Sequence, residues 1–190
     1  METDRRKEVV NICLDLFVEK GLYKTSTRDL SKALQLQSGG LYYYFQTKDD
    51  VVVACVEAAI RRLEDVLISP VRKEITNPAN MMKRLLSRAD EMAPVYQFVV
   101  TVCSDQQYRD KTKPILDELG ERYAHYAEVF SKLLNCKVQE LTPFVYMSIT
   151  AITNYMIFRE ESFIAPQLKA VQLKLERILS CLKESDVSDE

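Results

Sequence analysis

The shortage of glycine and proline limits the fold of this chain more than any other feature. Four glycines and six prolines make 10 of the 190 residues, about 5%, against an average of about 12%. Chains rich in β-hairpins or βα turns need many more of these residues, because tight turns require positive or fixed φ angles. The composition therefore predicts an all-α fold, in which helices are joined by few, economical turns. Apolar residues make up 47% and charged residues 28%, which is typical of a soluble globular protein with a core.

The cysteines argue against a zinc module or a disulfide framework. Their number is odd, no CxxC motif occurs, and His125 is the single histidine of the chain. Widely spaced cysteines of this kind predict reduced thiols within a core. They stand at positions 13, 55, 103, 136 and 181.

Motifs of catalysis, cofactor binding and membrane insertion are missing from the sequence. It has no Gly-rich phosphate loop, no GxSxG motif and no cluster of metal ligands, so we expect no catalytic residue, cofactor or metal. No apolar segment resembling a signal peptide follows the first residues. The longest apolar run, residues 51–56, is far below the roughly 18 residues that span a bilayer. The sequence predicts a cytoplasmic protein without membrane contact.

Positive charge is concentrated in the first quarter of the chain. Residues 5–48 contain eight basic and four acidic residues, a net charge of +4, while the whole chain carries −2. The remainder therefore carries −6. A basic segment on an acidic body suggests that this segment alone meets a polyanion.

Apolar spacing and helix breakers predict about nine helices. Ser26 and Asp29 resemble a capping box at the start of the second helix, and Thr47 can N-cap the fourth. Prolines mark the later starts. The first predicted helix ends at Gly21. The other eight cover, in order, residues 27–35, 39–45, 48–69, 77–92, 94–103, 114–134, 143–161 and 166–183.

The second and third of these helices describe a helix-turn-helix DNA-binding unit. Small residues at the start of the third helix let its backbone approach the floor of the major groove, and hydroxyls and cations nearby can meet phosphates. Tyr44 and Phe45 are interpreted as core residues. The predicted DNA contacts from this pattern are Thr27, Arg28, Ser38, Gly40, Tyr42, Tyr43 and Lys48.

The run LFVEKGLYKTSTRDLSKALQLQSGGLYYYFQTKDDV resembles the N-terminal domain of tetracycline-repressor (TetR) family regulators over about residues 8–55. The matched residues are Phe17, Gly21, Thr25, Arg28, Leu30, Ala33, Gly39, residues 41–45, Lys48 and Asp50. The resemblance implies a DNA-binding domain at residues 1–47 and an effector-binding and dimerisation domain at residues 48–190. It also implies a homodimer, a palindromic double-stranded operator and a small-molecule effector.

Two positions depart from the family pattern. Gln35 stands where the family usually has glycine, so a positive φ there should cost about 1 kcal/mol. Gln37 stands where the family usually has Ser or Thr as a helix cap. Because glutamine is a poor cap, Gln37 is a candidate for contact with a base edge, adenine in particular.

Aromatic and sulfur side chains on the later helices suggest an effector cavity between the fourth, seventh and eighth helices. Buried phenols need hydrogen-bond partners, so tyrosines are the more informative members. For each residue the alternative is plain core, and for His125 an imidazole whose hydrogen bonds are made within the protein. The lining suits a small, mainly apolar effector. The candidates are Tyr96, Cys103, Tyr123, His125, Tyr126, Phe144, Met147 and Tyr155.

The last helix carries an apolar stripe with alternating spacings of three and four, as in a coiled-coil seam. One interpretation is a dimer interface, and the family resemblance implies that the stripe then pairs with residues 144–160 in an intersubunit four-helix bundle. The other is a stripe that packs within its own chain. The stripe consists of Leu168, Val171, Leu175, Ile178 and Leu182.

These features together predict a one-component transcriptional regulator, with repression inferred rather than activation. The alternative is an architectural DNA-binding protein that has no ligand, and an enzyme is a more distant third. A body without a cavity between its helices would favour the architectural protein, and turnover of a substrate would favour the enzyme.

Overall fold

The structure is a computed structural model that describes residues 2–37 and 39–187, and the side chains of these except at 2, 3, 163 and 182–187. Every regular element in the described part is helical, which confirms the predicted all-α class. The α-helices are α1 Glu2–Lys20, α2 Thr27–Ala33, α3 Lys48–Leu63, α4 Val71–Glu74, α5 Pro78–Ser104, α6 Arg109–Leu133, α7 Val138–Phe158 and α8 Ala165–Val187. Two 3₁₀ helices cover Gly40–Tyr43 and Glu161–Phe163, and a π-helix covers Glu64–Ile68.

The chain divides into two compact units. The first contains the residues up to Leu63 together with Pro94–Leu116, and the second contains Glu64–Ala93 and the residues from Asp117 onward. The first unit thus includes all of α3. The predicted domain boundary between residues 47 and 48 stays a prediction.

The core of the first unit forms where α1 packs on α3. Leu14 and Phe17 of α1 and Val52 of α3 are at most 1% exposed. The Phe17 ring stacks on that of Phe98, with 5.7 Å between centroids. Burial of these side chains supplies the main free energy that holds α1 and α3 together.

The cysteines are free thiols in three different environments. Cys13 and Cys55 are fully buried, and burial raises the pKa of the Cys13 thiol to about 12. Cys103 and Cys136 are half-buried, and Cys181 is exposed. The interpretation as core thiols therefore holds for two of the five.

The predicted break at Pro94 is wrong, because α5 runs without interruption from Pro78 to Ser104. A proline inside a helix removes one hydrogen bond to the carbonyl four residues earlier, here Asp90. Nη1 of Arg159 donates to that carbonyl at 3.2 Å. The substitute hydrogen bond lets the helix continue.

Three other helices differ from their predicted limits. The helices predicted to start at Pro114 and Pro143 begin at Arg109 and Val138, each with its proline in the second turn. The third predicted helix, residues 39–45, shrinks to a 3₁₀ helix of four residues, Gly40–Tyr43. These errors come from the weakness of boundary signals in a sequence.

The stripe on α8 is mostly buried within the chain. Leu168, Val171 and Leu175 are 5–6% exposed, and α8 packs on α7. Ile178 is half-buried, and the side chain of Leu182 lies outside the described residues. Burial of the first three in their own chain favours the intramolecular alternative for them.

Helix α7 is unusually apolar for a helix with so much exposed surface. Its most apolar 18-residue window has a mean hydropathy of 1.2, yet only 28% of that window is buried. Among the described residues, Val138–Phe158 is long and apolar enough to cross a membrane by length and composition alone. The core helix of a soluble protein passes the same test, so this result does not by itself indicate a membrane span.

Candidate nucleic-acid interface

Gly21 ends α1 as predicted and starts the turn that leads to α2. Its φ is 89°, a conformation that favours glycine, and its N–H donates to the Phe17 carbonyl at 2.9 Å. Thr25 is buried, and its hydroxyl donates to the Gly21 carbonyl at 2.8 Å. This threonine therefore has a structural role.

The predicted capping box of α2 is present. The Ser26 hydroxyl oxygen accepts from the Asp29 N–H at 3.2 Å, and the Asp29 carboxylate accepts from the Ser26 N–H at 2.9 Å. The Lys20 ammonium, 2.7 Å from Asp29, is the first of several contacts that lower the pKa of this carboxyl. The cap fixes the first turn of α2, where Thr27 is half-buried and Arg28 is exposed.

The turn after α2 has the geometry expected of a glycine position. Gln35 has a φ of 54°, in the left-handed region. The Leu36 N–H donates to the Ser31 carbonyl at 2.9 Å, which closes the end of α2. Gln35 thus carries the expected strain of about 1 kcal/mol relative to glycine.

The recognition segment is the 3₁₀ helix Gly40–Tyr43 with the residues beside it. Gly39 has a φ of 94°. A Cβ on Gly40 would lie 2.9 Å from Cβ of Leu36, so only glycine fits without a shift. The two glycines bring backbone close to the surface where a groove floor would be met.

Side chains of the recognition segment alternate between the core and solvent. Leu41 and Phe45 are buried, whereas Tyr42 and Tyr43 are 56% and 75% exposed. Phe45 therefore confirms its interpretation as core, and Tyr44 is half-buried. Of the other predicted DNA contacts here, Gln37 is exposed and Ser38 lies outside the described residues.

Lys48 opens α3 and already has partners within the protein. Its ammonium donates to the Leu22 carbonyl at 3.3 Å and lies 5.9 Å from the Phe17 ring centroid. Thr47 and Asp50 form a second capping box at this helix start, with the Thr47 N–H 2.9 Å from the Asp50 carboxylate. The predicted N-cap is confirmed. Lys48 supports the fold, and its contact with a phosphate stays a prediction.

Two cations beside the recognition segment are not among the DNA contacts predicted from the sequence. The Arg6 guanidinium lies 4.8 Å above the Phe45 ring centroid. Arg5 is hydrogen-bonded to Glu8 at 2.6 Å and also to Tyr44. The run Arg5-Arg6-Lys7 was counted in the charge balance, but its proximity to residues 44 and 45 could come only from the fold.

The helix-turn-helix sequence matches a known family. The profile of bacterial regulatory proteins of the tetR family matches residues 14–55, from within α1 to within α3. The chain carries a tetR-family helix-turn-helix domain over these residues. The matched stretch contains both capping boxes, the strained turn and the recognition segment. The protein is a DNA-binding transcriptional regulator.

Relatives and solved structures agree with this family. The chain is 24% identical to the HTH-type transcriptional repressor KstR2 of Mycobacterium tuberculosis over 139 residues, which cover 72% of this chain and 68% of that protein. It is 26% identical to the nucleoid occlusion factor SlmA of Actinobacillus pleuropneumoniae over 145 residues, 72% of this chain and 71% of that protein. A tetR-family regulator from Streptomyces coelicolor shares the fold, with a TM-score of 0.60, 14% identity and coverage of 97% and 92%.

The start of α3 is hydrogen-bonded to the connection between α5 and α6 and to the first turn of α6. Asp49, in the first turn of α3, accepts hydrogen bonds from Gln107, Tyr108 and Lys111 at 3.0–3.2 Å. These contacts, with Lys111 first, lower the pKa of Asp49. Burial raises the pKa of Tyr108 to about 12. A movement of the start of α3 must therefore either break these hydrogen bonds or move their donor residues with it.

A second hydrogen bond links the same connection to the turn after α1. The Tyr23 hydroxyl donates to Oδ2 of Asp105 at 2.5 Å, although the tyrosine ring is 71% exposed. The exposed ring would gain little from packing, so the hydrogen bond gives Tyr23 its position. The α5–α6 connection thus holds both ends of the helix-turn-helix region.

The structure divides the predicted effector residues between the two units. Tyr96 and Cys103 belong to the first unit, and the other six to the second. Tyr123 and Tyr126 lie together, with ring centroids 6.4 Å apart, and Tyr146 joins them 6.3 Å from Tyr123. Tyr146 had not been predicted in this group.

The phenol of Tyr126 has a half-buried acidic partner. Its hydroxyl donates to Oε1 of Glu64 at 2.6 Å, and Arg122 donates to the same oxygen at 2.9 Å. Burial and then this carboxylate raise the pKa of Tyr126. Glu64 is the first residue of the π-helix, and no sequence pattern had indicated it.

The remaining effector candidates lie apart from this cluster in their contacts. His125 is 67% exposed and lies 3.8 Å from the Glu128 carboxylate. The Tyr155 hydroxyl donates to Asp90 at 2.7 Å, and Phe144 has the Lys174 ammonium 5.6 Å from its ring centroid. Met147 is half-buried. Within the described residues, no three His, Cys, Asp or Glu side chains form a metal site.

Proposed function

We propose that the protein is a cytoplasmic repressor that binds a palindromic operator as a homodimer and is released by a small, mainly apolar effector. The exposed Tyr42–Tyr43 pair on a glycine-flanked segment is the observation that carries DNA recognition. The named relative KstR2 is described as a transcriptional repressor, which supports the sign of regulation.

The operator contacts follow from exposure around the recognition segment. Tyr42, Tyr43 and Gln37 face solvent and are proposed to enter the major groove, with Gly40 allowing close approach. Arg28 and Thr27, at the start of α2, are placed for phosphate contact, where the helix N-terminus also favours anions. Two copies in successive major grooves require half-sites about 34–36 Å apart.

A second copy of the chain is the proposed cover for the exposed apolar surface of α7 and α8. Phe158 is 61%, Tyr146 41% and Ile157 37% exposed on α7, and Leu173 is 52% exposed on α8. Large apolar side chains that stay exposed on two packed helices make this surface our candidate for an interface. The proposed dimer contact on α8 therefore centres on Leu173 instead of the buried Leu175.

The effector is proposed to bind in the second unit near the tyrosine cluster. Tyr123 and Tyr126 offer aromatic faces to a neutral or weakly acidic compound. By linkage, an effector and the operator must weaken each other's binding by one factor, typically corresponding to about 1–3 kcal/mol.

Selection from a random duplex library tests the proposal. We expect an enriched inverted repeat, bound by a dimer. The Arg28→Ala variant should bind every sequence more weakly and with a smaller salt slope, because one phosphate contact is lost. Variants at Gln37 should instead change the preferred base. Recovery of no inverted repeat would contradict operator recognition.

A further inference from the structure

An open depression lies in the second unit beside the connection between α6 and α7. Its volume is about 710 Å³, within the range of about 300–1,000 Å³ found for small-molecule sites. None of the proposed effector residues lines it. The lining residues are Leu134, Asn135, Cys136, Lys137, Glu140, Lys174, Arg177, Ile178 and Cys181.

Positive charge converges on this depression. Lys137, Lys174 and Arg177 face a single acid, Glu140, which leaves a net charge of +2. The Lys174 ammonium is 3.8 Å from the Glu140 carboxylate, a long ion pair. The side chains of Lys137 and Arg177 are exposed and form no ion pair or hydrogen bond with another described residue. Two cations are therefore free to bind an anion.

The start of α7 adds to this positive field. Lys137 is the N-cap residue, and no side chain caps the helix there. The Glu140 N–H donates to the Lys137 carbonyl at 3.0 Å, but the earlier N–H groups of this 21-residue helix have no side-chain cap. The helix macrodipole favours negative charge at this end. The helix end supports the three cations, which remain the main attraction.

Apolar and thiol groups form the rest of the wall. Leu134 is 1% exposed, and Ile178 and Cys136 are half-buried. An aliphatic chain laid on these groups would remove apolar surface from water, which is favourable. A phosphate or other fully polar anion would leave this wall uncovered. The wall and the cations together select an anion with an apolar body.

We propose that this depression binds a small aliphatic carboxylate, as a site additional to the effector site. The planar guanidinium of Arg177 can donate two parallel hydrogen bonds to the carboxylate. Lys174 and Lys137 neutralise the remaining charge. The aliphatic chain lies against Ile178 and the Cys136 thiol.

The native cysteines allow occupancy to be measured on the intact chain. Cys136 and Cys181 line the depression, whereas the half-buried Cys103 belongs to the first unit. Octanoate should slow alkylation of Cys136 and Cys181 by iodoacetamide, followed by mass spectrometry of the peptides, and leave Cys103 unchanged. Octanamide, a neutral molecule of the same length, should protect neither cysteine.

Matched variants test the role of the cations. Lys174→Gln combined with Arg177→Gln should raise the Kd for octanoate about tenfold or more, because charge-assisted hydrogen bonds are lost. Lys169→Gln removes an exposed cation of α8 that does not line the depression, and should leave the Kd unchanged. Equal protection by octanamide, protection of Cys103, or an unchanged Kd in a folded double variant would each overturn the proposal.

Discussion

Arg159 donates from Nη1 to the main-chain carbonyl of Asp90 at 3.2 Å. This carbonyl is the one that loses its helical partner to Pro94, four residues later in α5. The same nitrogen is 2.9 Å from the Asp90 carboxylate. A side chain from the end of α7 thus replaces a missing hydrogen bond of α5.

A double-mutant cycle tests this replacement. Arg159→Ala should lower the free energy of unfolding by about 1 kcal/mol, because the carbonyl loses its donor. Pro94→Ala restores a backbone N–H at an exposed position and should raise stability. In the Pro94→Ala background, the cost of Arg159→Ala should fall by at least about 0.5 kcal/mol. Strict additivity in urea unfolding would show that the two sites are independent.

Gln35→Gly should stabilise the protein by about 1 kcal/mol, because glycine adopts a φ of 54° without strain. Gln37→Gly is the matched control, since Gln37 is not among the residues with positive φ; it should give no gain. Urea unfolding of both variants beside the wild type measures the difference. A gain of equal size at both positions would refute the assignment of strain to Gln35.

Local signals predicted the first 60 residues well. Gly21, the Ser26–Asp29 box and the Thr47 cap depend on residues within one turn of each other, so the sequence shows each motif whole. The expectation of a positive φ at Gln35 came instead from the family pattern, which usually has glycine there. The family resemblance supplied the DNA-binding function. It could do so because the spacings of the helix-turn-helix motif match the family without insertions.

Long-range contacts defeated the sequence analysis elsewhere. Pro94 wrongly predicted a helix end. Arg159, whose side chain replaces the missing N–H of Pro94 as donor to the Asp90 carbonyl, lies 65 residues later in the sequence. Glu64 and Tyr126 are 62 residues apart, and no periodicity connects them. The stripe containing Leu175 was ambiguous between a dimer seam and a core, because both need the same spacing.

Asp49 makes stability depend on pH in a predictable direction. Its folded pKa is lowered by Lys111 and its other donors, so its contribution is complete above the unfolded pKa of about 3.9 and is lost as the pH falls through the folded value. Asp49→Asn should cost about 1 kcal/mol near pH 6, and the gap to wild type should close below about pH 4.

Urea unfolding across this pH range checks the prediction. Glu57→Gln is the control, because Glu57 has one long, exposed ion pair with Arg61 at 3.5 Å on the same helix; little change is expected. A gap for Asp49→Asn that stays constant down to about pH 3 would mean that its carboxylate charge is not involved.

Leu173 and Leu175 separate the proposed dimer surface from the core of one chain. Leu173 is 52% exposed and Leu175 is 5% exposed, although the two are neighbours on α8. Leu173→Glu places a charge in the proposed interface and should yield a folded monomer with weaker operator binding. Leu175→Glu buries an unpaired charge, so it should lower stability by several kcal/mol, about 3 or more, and unfold much of the protein. Light scattering measures the oligomeric state and circular dichroism measures folding, so together they distinguish the two outcomes. If the Leu173→Glu variant is a folded dimer, the interface lies on another surface.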